Sequence, residues 1–244
     1  MSARVRWSSI ASLAVLAVAA PCLAADAVTP TGMAPGRGGI GGQVGGSYFY
    51  MADDYSAGAQ PRMAFAGNFR FMMSHTMRFQ FSPGFLWSAY TNKEPVPFTD
   101  PNFPEDTSKS EYLTQMVPVS VQLQYLIHSG TWHYHLGAGP GGYRLWVENH
   151  RKVLKDPVTK KLHRGTYLGL TGEVGVERFL KALPSTSIEA TTATHFVFAT
   201  RDDQFPSGYN SNVGALELRL GVNYYFDLHK EKAKPSETVP PATR

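Results

Sequence analysis

The segment Val213–Phe226, VGALELRLGVNYYF, constrains this chain more than any other. On an extended backbone, successive side chains point to opposite faces. Leu216, Leu218, Leu220, Val222, Tyr224 and Phe226 then share one face, and Glu217, Arg219, Gly221, Asn223 and Tyr225 share the other. The first face is unbroken apolar and ends in aromatics. The second carries an acid, a base and an amide. A strand in a soluble sandwich turns its apolar face to the core and its charges to water. A strand crossing a bilayer in a barrel does the reverse, with lipid outside and a polar lumen inside, at about 10 residues per crossing.

The same alternation recurs along the chain and predicts eight strands: Ile40–Met51, Arg62–Met73, Met77–Tyr90, Glu111–Ile127, Thr131–Val147, Gly165–Phe179, Ser187–Thr200 and Val213–Phe226. Their faces are clear in most places. Met63, Phe65, Phe69 and Phe71 oppose Asn68 and Arg70; Val117, Val119, Val121 and Leu123 oppose Ser120, Gln122 and Gln124. Pro83-Gly84 interrupts the third pattern and predicts a bulge or kink, because proline cannot donate to a ladder. Pro140-Gly141-Gly142 leaves the parity of the fifth strand open.

The connections alternate in length. Ser74–Thr76, His128–Gly130 and Lys181–Ser185 are tight; ADDYSAGAQP, Thr91–Ser110, Glu148–Arg164 and RDDQFPSGYN are longer. Short turns on one side and long loops on the other, with an even strand count, mark transmembrane barrels. Aromatics gather near predicted strand ends, among them Tyr48, Trp87, Trp132, Trp146, Tyr224 and Phe226, as interfacial girdles do. The fold class is therefore all-β, an eight-stranded antiparallel up-and-down transmembrane β-barrel with long external loops and short periplasmic turns. The runner-up, a soluble ligand-binding barrel, needs its apolar faces inside.

Composition fits. Mean hydropathy is −0.23 and charged residues are 17%. No uncharged apolar run of about 18 residues lies beyond the N-terminus, which argues against transmembrane helices. A net charge of +4 is too mild to argue for nucleic acid.

Met1–Ala24 reads as a secretory signal: Arg4 and Arg6, an apolar Ile10–Ala20, then CLA, or ADA ending at Ala27, as the cleavage site. Cleavage there removes Cys22, the single cysteine, which suits an oxidising envelope compartment. Residues 25–39 read as a disordered Pro/Gly periplasmic linker, 40–226 as the barrel, and 227–244 as a disordered Lys/Pro/Glu-rich periplasmic tail.

The terminal RLGVNYYF resembles the assembly signal of bacterial outer-membrane barrels, with Arg219, Gly221, Tyr224 and Phe226 as its elements. Over Ile40–Phe226 the pattern resembles the small eight-stranded OmpA-, OmpX- and OmpW-like outer-membrane barrels. The resemblance implies a monomer in the cell outer membrane, both termini periplasmic, inserted by the outer-membrane assembly machinery. Members include structural barrels, adhesins, narrow pores and lipid-modifying enzymes, so fold does not settle function.

The inward charges Arg70, Arg78, Glu173, Glu177, Glu189, Glu217 and Arg219 form a candidate lumen network. An eight-stranded barrel is barely wide enough for its own side chains, so these charges must pair. The network is read as a packed plug, with a gated narrow pore for small or apolar solutes as the alternative.

A third reading is a lipid-modifying enzyme. Thr194-His195 with Glu189 is its nearest candidate constellation, but Val197 stands where deacylase barrels place a serine. No catalytic residue is therefore assigned. His133 and His135, two apart, have a metal-chelating spacing, yet no partner is placed beside them and neither metal nor cofactor is assigned.

The third external loop carries Arg151, Lys152, Lys155, Lys160, Lys161 and Arg164. Such cations match the phosphates of lipopolysaccharide. The second external loop is acidic and exposes Phe98 and Phe103; Asp53, Asp54, Asp202 and Asp203 are a weaker rim cluster. The expected role is non-enzymatic, structural or surface-interacting, with outer-membrane lipid and lipopolysaccharide as partners and no nucleic acid.

Overall fold

A computed structural model describes residues 33–51, 59–91, 111–149, 151–153, 155, 162, 164–199 and 212–228. The signal segment, Phe98, Phe103, Lys160, Lys161, the four rim aspartates, and the tail beyond residue 228 lie outside the described residues. Eight long strands form the wall: β1 (Arg37–Met51), β2 (Arg62–Met72), β3 (Met77–Thr91), β4 (Glu111–Ser129), β5 (Trp132–Asn149), β6 (Arg164–Leu180), β7 (Leu183–Val197) and β8 (Val213–Asp227). Two-residue pieces at Ala59–Gln60 and Lys152–Val153 extend β3 and β5 on their loop side.

Every strand pairs antiparallel with its sequence neighbours, and β1 pairs β8 from Arg37↔Asp227 to Met51↔Gly214. The sheet therefore closes on itself, as the alternation predicted. Closure leaves no edge strand, which a lipid-facing backbone requires because hydrocarbon offers no hydrogen-bond partners.

The outer wall is apolar on all eight strands. Leu168 is 76% exposed, Leu218 65% and Leu220 64%, and large apolar side chains flank them throughout. Water cannot stabilise a continuous apolar belt of this kind, whereas lipid can. Aromatics cluster toward the loop side, where Phe85 lies 5.2 Å from Trp87 and 6.3 Å from Trp146. Toward the turns, the Arg178 guanidinium sits 5.0 Å above the Trp132 ring, a cation–π contact suited to an interface.

Three expectations need correction. The strand-and-linker boundary moves: β1 starts at Arg37 rather than Ile40, with Gly38 opposite Phe226, and β8 runs on to Asp227. Arg37 and Asp227 lock that end with a 2.9 Å ion pair. The last part of the supposed linker also folds, since Met33 is fully buried under the barrel against Met72 and Leu126.

No bulge forms at Pro83-Gly84. β3 keeps one register on both sides, from Met77↔Tyr125 through Pro83↔Val119 to Leu86↔Met116. The alternation seemed broken because the inward residue changes type, from Ser82 to bare Gly84 and then to Leu86. The parity of β5 likewise runs unbroken, with Gly141, Tyr143, Leu145 and Val147 inward and Arg144 exposed.

The lumen is thus layered. Near the loops, Phe49, Leu86, Met116, Leu145, Val197 and Val213 form an apolar cluster. Near the turns, Met33, Met72 and Leu126 form another, with Phe179 against it. Charges and amides fill the middle.

Candidate functional site: the charged lumen and the outer rim

Strand alternation aims all seven predicted lumen charges inward, and none is more than 4% exposed. Arg70 on β2 reaches across the lumen to Glu189 on β7 at 2.7 Å, and lies 3.5 Å from Glu177 on β6. Arg78 on β3 contacts Glu177 at 2.8 Å. On β8, Arg219 contacts Glu173 of β6 at 2.9 Å and lies 3.7 Å from Glu217 of its own strand.

Neutral groups complete the coordination. Arg70 Nε donates to Gln80 at 2.7 Å and Arg78 Nε to Gln124 at 2.6 Å. Gln124 donates to Glu173 at 2.9 Å, and Gln43 to Glu189 at 2.7 Å. Tyr225 donates to Glu177 at 2.8 Å while accepting from Arg78 at 2.7 Å; Ser187 donates to the same carboxylate. Buried charges are tolerated when paired and hydrogen-bonded in this way.

Two histidines, His135 and His195, also join the network, with partners that the sequence did not place. His135 Nε2 lies 3.3 Å from Glu173 and 3.5 Å from Glu189. These three residues are the candidate metal-ligating cluster among the described residues. Its carboxylates are already engaged by Arg219, Arg70 and four amide side chains, so the histidine acts as a wedge inside an Arg–Glu lattice. Gly175 makes room for it: a Cβ there would stand 2.4 Å from the His135 ring. His133 does not join His135 in a chelate; its Nδ1 faces His128 Nδ1 at 2.8 Å.

His195 Nε2 lies 2.5 Å from Glu217, and its Nδ1 is 3.2 Å from the Tyr143 hydroxyl, which donates to Leu170 O at 3.0 Å. This overturns the Thr194–His195–Glu189 grouping. Thr194 points outward, hydrogen-bonded to Tyr50 at 2.8 Å, and Glu189 belongs to Arg70. The signal that could have found Glu217 was strand pairing: Ala215 opposes His195, so Glu217 is the next inward residue on β8. Three arginines against four glutamates leave the seven charges at −1 with neutral histidines (3 − 4).

The assembly-signal residues separate by face. Arg219 is in the network, Gly221 packs against Gln43, and Tyr224 and Phe226 stack outward with centroids 6.5 Å apart. At the outer rim, the basic loop folds back on β5: Asn149 pairs Lys152, Arg151 adopts φ 65°, and Lys155 bridges Leu162. Arg164 opposes Trp146 at the start of β6.

No protein-family model matches the sequence, and no curated protein does. Solved structures are similar in fold. Neisserial surface protein A aligns with 15% identity and TM-score 0.46, covering 78% of this chain and 97% of that one. The outer membrane protein OprG of Pseudomonas aeruginosa gives 11%, 0.47, 80% and 98%. The attachment invasion locus protein Ail of Yersinia pestis, solved with the heparin analogue sucrose octasulfate, gives 12%, 0.45, 79% and 99%. This chain is an eight-stranded antiparallel β-barrel, similar in fold to the small outer-membrane barrels of Gram-negative bacteria.

Proposed function

We propose that this protein is a closed, non-catalytic barrel of the outer membrane that acts through its outer surface, with lipopolysaccharide as its partner at the basic rim. One observation carries the reading. The lumen charges are buried and mutually engaged, and apolar layers stand above and below them. A conducting pore needs a continuous wet path, and an apolar constriction opposes wetting. The Tyr143–His195–Glu217 chain has the reach of a catalytic relay, but Tyr143 and Glu217 are at most 1% exposed and the apolar layer covers them. The chemistry left to the molecule is at the rim, where Arg151, Lys152, Lys155 and Arg164 meet the outer-leaflet phosphates.

Planar-bilayer recording of the refolded full chain tests the closed lumen. The expected trace has no discrete steps. Steps that disappear on Arg219→Gln would overturn the reading in favour of a narrow channel. Outer-membrane fractionation, with heat-dependent gel mobility, tests the location. Release of bound lipopolysaccharide by salt tests the partner.

A further inference from the structure

The lipid-facing wall carries a charge that the apolar belt does not explain. Arg144 on β5 is exposed on the outer surface, two residues closer to the belt's centre than Trp146. At about 3.3 Å per residue this sets it some 6–7 Å below the tryptophan along the strand. Its Nη1 donates to Thr166 Oγ1 on β6 at 2.8 Å, which fixes its direction but not its charge. Arg164, two residues above Thr166 on β6, is also exposed. Among the described residues neither makes an ion pair. The nearest acid on this face, Glu148, lies beyond Trp146 and accepts the indole N–H at 2.9 Å. An arginine on a lipid-facing wall is unfavourable in proportion to its depth unless an anion meets it.

Below this pair the wall is unusually bare. Gly142 lies between Val119 and Leu168, and a Cβ there would meet nothing within 4 Å. Further down, Ala138, Leu170, Gly172, Thr194 and Phe196 line an apolar groove of about 230 Å³. Ala138 is six residues from Arg144, about 20 Å along β5, which is within the length of an extended acyl chain. The rim cations, Gly142 below them and, past the exposed Pro140, the groove lie in line on one side of the wall across β5, β6 and β7.

We infer that this track is a docking site for one phosphate-bearing lipid of the outer leaflet, the lipid A portion of lipopolysaccharide, with a phosphate between Arg144 and Arg164 and an acyl chain in the Gly142–Gly172 lane. It deepens the proposed function and rests on it: it moves the specific contact from the lysines of the basic loop to the barrel wall. Arginine suits the role because its planar fork binds phosphate oxygens bidentately. Small residues suit the lane because a chain can lie against backbone.

The test is lipid A binding to the folded full chain in detergent, read by native mass spectrometry, with heat-dependent gel mobility as the folding control. The double variant Arg144→Gln/Arg164→Gln is expected to lose about tenfold in retained lipid A, in line with loss of charge-assisted hydrogen bonds. Lipid A stripped of phosphate should bind the wild type no better than that variant binds intact lipid A. Gly172→Leu fills the groove, where a Cβ meets only Thr194 Cγ2 at ordinary 3.5 Å contact, so it should fold and lose lipid A severalfold. Wild-type retention by both wall variants, with loss in Lys152→Gln/Lys155→Gln, would overturn this site and leave the loop contact standing. No wild-type binding at all would overturn both. Equal binding of phosphatidylglycerol would overturn the assignment to lipid A.

Discussion

The two halves of the lumen obey the same alternation and are filled by opposite chemistry. On β8, Val213 and Ala215 point inward near the loops, and Glu217, Arg219 and Asn223 point inward nearer the turns. On β3 the inward residue is Leu86 toward the loops, and Gln80 and Arg78 toward the turns. The apolar half excludes water by packing; the charged half fills its volume with directional bonds that hold only one strand register. The difference teaches that inwardness and polarity are separate properties of a barrel strand. Face is set by parity, whereas chemistry is set by height.

The largest effect expected from breaking the charged half is Arg70→Leu. It strips Glu189 and Glu177 of a partner inside the lumen, and removing one side of a buried pair costs about 3–5 kcal/mol. Guanidinium unfolding in phospholipid vesicles reads it. The matching change in the apolar half is Leu86→Ala, which leaves a cavity against Met116 and should cost about 3 kcal/mol in the same assay. Conductance should stay absent in this variant, since the charged layer still closes the lumen. The wall gives the contrast with both: Leu218→Arg puts a charge on the belt and should cost about 2–3 kcal/mol. No cost there would break the assignment of that face to lipid. The smallest effect concerns the contact between the two halves. A double-mutant cycle of His195→Phe and Glu217→Leu should give a coupling of about 1–2 kcal/mol. Strict additivity would mean that the 2.5 Å contact contributes nothing.

Much of the fold was legible because period-two alternation is local: each strand declares its faces without knowledge of its neighbours. The seven lumen charges were legible for the same reason. What stayed hidden was relational. Arg70 meeting Glu189 depends on the barrel's diameter, and His195 meeting Glu217 on register between β7 and β8. The apolar layer was hidden because its members are single residues at strand ends, such as Phe49 and Leu86, that look like lapses in the pattern when each strand is read alone. Arg144 was missed because Pro140-Gly141-Gly142 obscured its parity.

The way the lumen pairs divide between the two ends of the chain bears on how the barrel shuts. Within the network, β1 to β4 contribute Arg70 and Arg78, a charge of +2; β5 to β8 contribute Glu173, Glu177, Glu189, Glu217 and Arg219, a charge of −3 (1 − 4). The first four strands thus bring a cationic lining and the last four an anionic one. If the ends approach before the seam forms, those opposite charges attract. Closure should then slow as ionic strength rises, while the closed barrel, with its charges out of reach of salt, should keep its stability.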